Sequence, residues 1–196
     1  AIQQRLLRQD AYLIGIGNED PLDLARRARA SASSAQPSGE AAQVLSGQTR
    51  TVHGERGAPP ARACPGLHRW MSDPAAGLPA WVQLDWEQPV GIGEVSVVFD
   101  TGLHRPLTLT QSDAYAARME WGRPQPETAA AYRIEALVGG NWVEVAAVVD
   151  NYQRLRVHRL AQRVRASALR LTVVRTHGLD HARVVEVRVY DSGSGA

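Results

Sequence analysis

Tyr132-Arg-Ile-Glu-Ala-Leu-Val138, then Gly139-Gly140-Asn141, then Trp142-Val-Glu-Val-Ala-Ala-Val-Val149 is the stretch whose reading decides the fold. Ile134 and Ala136 fall on one side of an extended chain, with Arg133 and Glu135 on the other. That two-residue period is the mark of a half-buried strand. Gly139-Gly140-Asn141 supplies residues that tolerate the positive φ of a tight hairpin turn. A lone hairpin cannot hide its apolar face from water, so more strands of this kind must pair with it. Upstream, Trp81-Val-Gln-Leu-Asp-Trp86 alternates, and Gly93 to Asp100 sets Val95, Val97 and Phe99 on one face. Downstream come Arg154 to Leu160, Ala168 to Val174, and Arg183 to Tyr190. In the last of these Val185, Val187 and Val189 point one way, Glu186 and Arg188 the other. Short alternating strands with no helical pattern between them predict an all-β chain, an antiparallel sandwich or barrel.

The first thirty residues read differently. Ile2, Leu6, Leu7 and Leu13 recur at helical spacing, and Asp20-Pro21 offers an N-cap and a first-turn proline for a short helix over Leu22–Ala30. Gly15-Ile16-Gly17 between them is too short for a dinucleotide fingerprint and follows no strand. Ser31–Gly39 suits a linker or an edge strand, and residues 53–66 carry Gly and Pro at the density of an irregular loop.

Composition excludes several classes. The 196 residues suit one domain plus an appendage. No apolar run approaches the ~18 residues of a membrane span. A single Cys64 rules out an intrachain disulfide and a cysteine zinc cluster, and with no cation nearer than Arg62 it is not a reactive thiolate. The start shows neither an initiator Met nor an apolar signal core, so it reads as a piece of a longer chain with no targeting peptide in view. All 22 basic residues are arginine, which suits phosphate recognition. The 20 interspersed acids and a net charge of +2 argue instead for a compositional bias towards Arg and Ala, and against nucleic acid as a partner. The bias is sharpest in residues 150–190, with nine arginines against three acids, mostly at outward strand positions.

Several runs also match a family pattern. Ala32-Ser-Ser-Ala-Gln36, Ala41-Ala-Gln-Val-Leu-Ser-Gly47, Arg69-Trp-Met-Ser72 and Pro79-Ala-Trp-Val-Gln-Leu-Asp85 resemble, in order, the opening of a discoidin (coagulation factor type C) domain. Tyr132-Arg-Ile-Glu135, the Gly-Asn-Trp turn, Leu169-Arg-Leu171 and Val185-Glu-Val-Arg-Val-Tyr190 resemble its later strands. The resemblance implies a galactose-binding-like jelly-roll β-sandwich over residues 31–191, with a flexible tail at 192–196. It also implies a non-catalytic module that binds glycans, phospholipid heads or proteins. The family often holds a structural calcium between an Asp-Gly loop and a late glutamate. Glu186 stands at the glutamate position, but the loop reads Ser46-Gly47-Gln48. The missing carboxylate leaves Glu186 as a calcium candidate with too few oxygen ligands, or as a structural residue bonded to the loop. Residues 1–30 (Ile2-Gln-Gln-Arg-Leu-Leu-Arg-Gln9, Tyr12-Leu13, Asn18-Glu-Asp-Pro-Leu-Asp-Leu-Ala25) resemble the closing segment of bacterial FAD-dependent oxidoreductases. That implies an upstream oxidoreductase domain as partner, with any FAD held there, since no flavin fingerprint and no cofactor motif stands in this sequence.

Antiparallel alternation sends loops 71–80, 100–130, 149–153 and 175–182 to one end of the sandwich, and tight turns to the other. Binding residues gather on loops held by a rigid scaffold. The ligand-binding candidates at that end are His104, Arg105, Trp121, Arg123, Asn151, Arg154 and His177. Asp73, Asp100, Tyr115, Tyr152, Asp180 and His181 belong to the same end. Trp121 is either a platform for a sugar face or a lid folded back on the sandwich. Asn151 is either a ligand contact or the holder of a left-handed turn. Trp70, Trp81 and Trp142 read as core, and Trp86 as a surface tryptophan against the N-terminal helix. His177-Gly-Leu-Asp-His181 lacks the helical frame a histidine pair needs for metal, and no nucleophile elbow, oxyanion loop or catalytic carboxylate pair appears. The functions left are an accessory sandwich on an oxidoreductase, serving interdomain packing or substrate presentation, and an independent carbohydrate-binding module working through Trp121, His104 and Arg105.

Overall fold

A computed structural model of the chain describes residues 20–48, 67–102 and 122–191. Its strands are β1 (Arg29–Ala32), β2 (Trp70–Met71), β3 (Ala80–Phe99), β4 (Ala129–Val138), β5 (Asn141–Val148), β6 (Leu155–Thr176) and β7 (Arg183–Tyr190). Each described pairing is antiparallel. No helix among the described residues is long and apolar enough to cross a membrane.

Two long strands build the sandwich. Ala80–Asp85 of β3 pairs with Val173–Ala168 of β6, and after register breaks at Asp85/Val90 and Ile92/Glu94 its second half pairs with Arg159–Leu155. The ribbon folds over at Glu87-Gln88-Pro89, which is exposed and where a proline costs no ladder hydrogen bond. One layer therefore holds β1, the first half of β3, the second half of β6, β4 and β5. The other holds β2, β7, the second half of β3 and the first half of β6. Val82, Leu84, Ile134, Ala136, Leu169 and Leu171 face Val95, Val97, Phe99, Val184, Val187 and Val189 across the core. Each buried aliphatic side chain adds about 1.5–3 kcal/mol. Phe99 meets Tyr132 with ring centroids 4.8 Å apart, and the Tyr132 hydroxyl lies 2.9 Å from His158 Nε2. The antiparallel sandwich is thus as expected, but the segments read as separate strands at 81–86 and 93–100 are one bent strand, as are 154–160 and 168–174.

The N-terminal expectation needs correcting. Instead of a helix over Leu22–Ala30 there is one 3-10 turn, Leu24–Arg27, followed by β1. Its N-cap is Asp23, not Asp20. Tertiary partners claim both carboxylates: Asp23 Oδ1 accepts from Ala25 N and from Val189 N at 3.0 Å, and Asp20 Oδ2 accepts from the Tyr190 hydroxyl at 3.3 Å. Ala25 lies in the core and Trp86 Nε1 donates to Leu24 O at 2.9 Å. From Asp20 onward the segment is therefore part of the sandwich, so the boundary drawn at residue 30 falls inside it. Ser31–Ala32 take the edge-strand option, since β1 pairs along β3.

Three tryptophans also move, the first being Trp86, which is buried in the core instead of at the surface. Trp70 is core, as expected, with its indole N–H donating to Ser34 O at 2.9 Å. Trp81 and Trp142 are only half-buried. They lie on the outer face and clasp the Arg170 guanidinium, 4.7 Å and 4.2 Å from their ring centroids. Arg170 Nε and Nη2 both donate to Gln83 Oε1, at 3.0 and 2.7 Å. A cation–π clasp gives an indole a partner without full burial, and strand alternation alone does not distinguish it from a core position. On β7 a register shift at Val98/Phe99 brings Val184 to the core in place of Val185. Glu186 and Arg188 do face away from the core, yet both are buried.

Candidate functional site

The loops at one end of the sandwich are tied to each other by backbone bonds. His177 N donates to Thr128 O at 3.1 Å, Leu179 N to Pro126 O at 3.3 Å and Asn151 N to Ala130 O at 2.8 Å. Ser72 N donates to Ala182 O at 3.0 Å, and Ala182 N returns a bond to Ser72 Oγ at 2.9 Å. The described parts of loops 72–79, 100–128, 149–154 and 177–182 thus meet, as alternation predicts. Of the predicted residues, His104, Arg105 and Trp121 lie outside the described residues, as does Tyr115.

Asn151 is a strut, not a ligand contact. It is fully buried, with Nδ2 donating to Ala129 O at 2.8 Å and Gln153 O at 3.1 Å, and Oδ1 accepting from Gln153 N at 3.2 Å. Both amide hydrogens are consumed. Nor is its backbone left-handed, for Ser38 is the one non-glycine residue at positive φ among those described. Asn151 O accepts from His177 Nε2 at 2.7 Å. A carbonyl can only accept, so Nε2 of this half-buried ring carries a proton. Arg154 is half-buried, with Nη1 donating to Phe99 O at 3.3 Å, and Arg123 is exposed. Tyr152 stands 64% exposed on the loop that Asn151 anchors. It was placed at this end by topology but not singled out. The signal in sequence is an Asn-Tyr pair between two strands.

Behind these loops lies a chain of polar and charged side chains, buried from Arg69 to His181 and exposed at Asp180. Asp100 Oδ2 accepts from Arg69 Nη1 at 2.7 Å and lies 3.5 Å from Arg183 Nη1, while Oδ1 accepts from Gly102 N at 3.0 Å. Arg183 Nε donates to His181 Nε2 at 3.0 Å, and His181 Nδ1 lies 2.8 Å from Asp180 Oδ1. His181 must therefore be neutral, with its proton on Nδ1. Burial pushes its pKa down most, against the pull of Asp180, with Arg183 and Arg69 adding to the fall. Burial also lowers Arg183, against the carboxylate of Asp100. The hydrogen bond from His181 holds Asp180 below the usual carboxylate range. Both rings in 177–181 spend nitrogens on these bonds, and no group of three His, Cys, Asp or Glu that could hold a metal occurs among the described residues. Asp100 is bound to two arginines and is in no position to orient a base. Among the described residues, this end offers rigid polar loops, one exposed aromatic ring, and mixed donors and acceptors. Glu186 is elsewhere, on the outer face of β7, and its Oε2 accepts from Arg188 Nε at 2.7 Å.

A long antiparallel ribbon folded into two layers, with its loops gathered at one end, is the discoidin or galactose-binding-like sandwich. Similar solved structures include the family 32 carbohydrate-binding module of NanJ from Clostridium perfringens in complex with galactose, with a TM-score of 0.59 and 14% identity, covering 85% of this chain and 95% of that one. The family 32 module of EndoD from Streptococcus pneumoniae matches with a TM-score of 0.60 and 12% identity, over 87% of this chain and 99% of that one. A chitosan-binding module from a Paenibacillus chitosanase/glucanase matches with a TM-score of 0.58 and 17% identity, over 86% and 98% of the two chains. At these identities the likeness speaks for the fold. No protein-family model matches the sequence, and no curated protein matches it. The flavoenzyme reading of the N-terminal segment gains no support from these comparisons. Residues 1–19 of that segment lie outside the described residues, and from Asp20 onward it belongs to the sandwich.

Proposed function

We propose that this chain is a non-catalytic carbohydrate-binding module that takes a glycan at the loop end around Tyr152. The observation that carries the reading is an exposed aromatic ring on a loop made rigid by a fully buried asparagine. Such a ring can stack on the apolar face of a pyranose without first losing much freedom. The His177 ring and the Arg154 and Arg123 guanidiniums stand on the same end for sugar hydroxyls, and His104, Arg105 and Trp121 extend that end in sequence. The carbohydrate-binding modules among the similar folds support this choice over the accessory-sandwich reading. A glycan array followed by calorimetric titration of the best hit tests it. Tyr152→Ala should weaken binding about tenfold or more, a change of about 1.4 kcal/mol. A hit whose affinity is untouched by that variant, or an array without any hit, refutes the proposal.

A further inference from the structure

We propose that Arg188 holds the place that a structural calcium takes in the family this sandwich resembles, so that the chain is stable without the metal. Calcium takes about six to eight oxygen ligands, several of them carboxylates, and the residues present do not fit it. The loop Ser46-Gly47-Gln48 brings no carboxylate: Gln48 N is bonded to Ser46 Oγ at 3.3 Å, and Gln48 Oε1, buried without a hydrogen-bond partner, is a neutral oxygen. The one carboxylate retained, Glu186, already accepts from Arg188 Nε at 2.7 Å, with side-chain exposures of 2% and 5%.

Glu186 and Arg188 lie two residues apart on β7 and so share one face, opposite Val98 and Ser96 of β3. A carboxylate buried there alone would be costly. A guanidinium answers it with a permanent charge that no chelator or acid removes. Arg188 serves further acids as well. Its charge lowers the pKa of buried Asp23, against the stronger upward push of burial, and Asp23 is the residue that bonds Val189 N and ties the N-terminal turn to β7. It likewise opposes the rise of the Tyr190 phenol, which burial and the Asp23 charge drive upward. A divalent ion seated at Glu186 would lie beside this fixed cation and be repelled.

The thermal midpoint of the chain, measured in about 1 mM calcium chloride and in about 1 mM EDTA, reads this directly. The two midpoints should agree within about 2 °C, and a larger rise with calcium overturns the proposal. Arg188→Met should lower the midpoint by about 6 °C or more. Ser46→Asp combined with Arg188→Met restores the carboxylate and removes the cation, and calcium should then raise its midpoint by more than about 2 °C. A double variant indifferent to calcium, whether folded or unfolded by circular dichroism, also overturns it.

Discussion

Replacing Asp100 by Asn keeps the shape of the side chain and deletes one charge at the centre of the buried loop-end network. The wild-type carboxylate accepts from Arg69 at 2.7 Å and from Gly102 N at 3.0 Å, and lies 3.5 Å from the Arg183 guanidinium. Side-chain exposures are 4% for Asp100, 1% for Arg69 and 3% for Arg183, so water cannot stand in for the lost charge. Removing one partner of a buried pair leaves an uncompensated buried charge and costs about 3–5 kcal/mol. Set against a total stability of about 5–15 kcal/mol, Asp100→Asn should remove about a fifth of it or more. Urea denaturation should show a lower midpoint with an unchanged slope. The double variant Arg69→Met/Asp100→Asn should cost less than the sum of its two single variants, because one stranded cation is gone. A loss under about 1 kcal/mol for Asp100→Asn would mean that the pair is solvent-screened, and would refute the account of a dry network.

Acidification should destabilise the fold. The pKa values of His181 and His158 are both lowered, chiefly by burial, so in the window below 6.5 the unfolded chain binds more protons than the native one, and the stability they confer is full above about pH 6.5 and lost as pH falls. Urea midpoints at about pH 7.5 and 5.5 check this, and a His158→Gln/His181→Gln variant with the same pH response would refute the assignment. Gly178→Ala should disturb the binding end, since its Cβ would lie 2.9 Å from Pro126 Cβ and 3.4 Å from Pro126 Cα. A cost of about 1–3 kcal/mol is expected, with weaker glycan binding by titration.

Strand alternation was readable because it is a property of a few consecutive residues. Val95, Val97 and Phe99 needed no knowledge of their partners to be placed on one face. Helix-like signals at Asp20-Pro21 gave only a single turn for the converse reason, since distant partners, Val189 and Tyr190 on β7 and the β3 ladder that takes Arg29–Ala32, hold the segment in place. The binding end was half readable. Alternation gathered its loops correctly, but Asn151 and Tyr152 are neighbours with opposite fates, one fully buried and the other 64% exposed. Which of the two turns inward depends on the carbonyl of Ala129, on another strand.

The amino-acid sequence by itself determined the antiparallel β architecture, the hairpin at Gly139-Gly140 and the sorting of loops to one end, because alternation and turn chemistry act over short windows. Tertiary structure alone decided which polar residues are interior. Arg69, Asp100 and Arg183 form one network, and Glu186 is matched to Arg188 under an N-terminal turn. The same long-range packing places Trp81 and Trp142 around Arg170 instead of in the core. A charge in a strand reads as solvent-facing until a distant segment covers it, and burial then makes its partner obligatory.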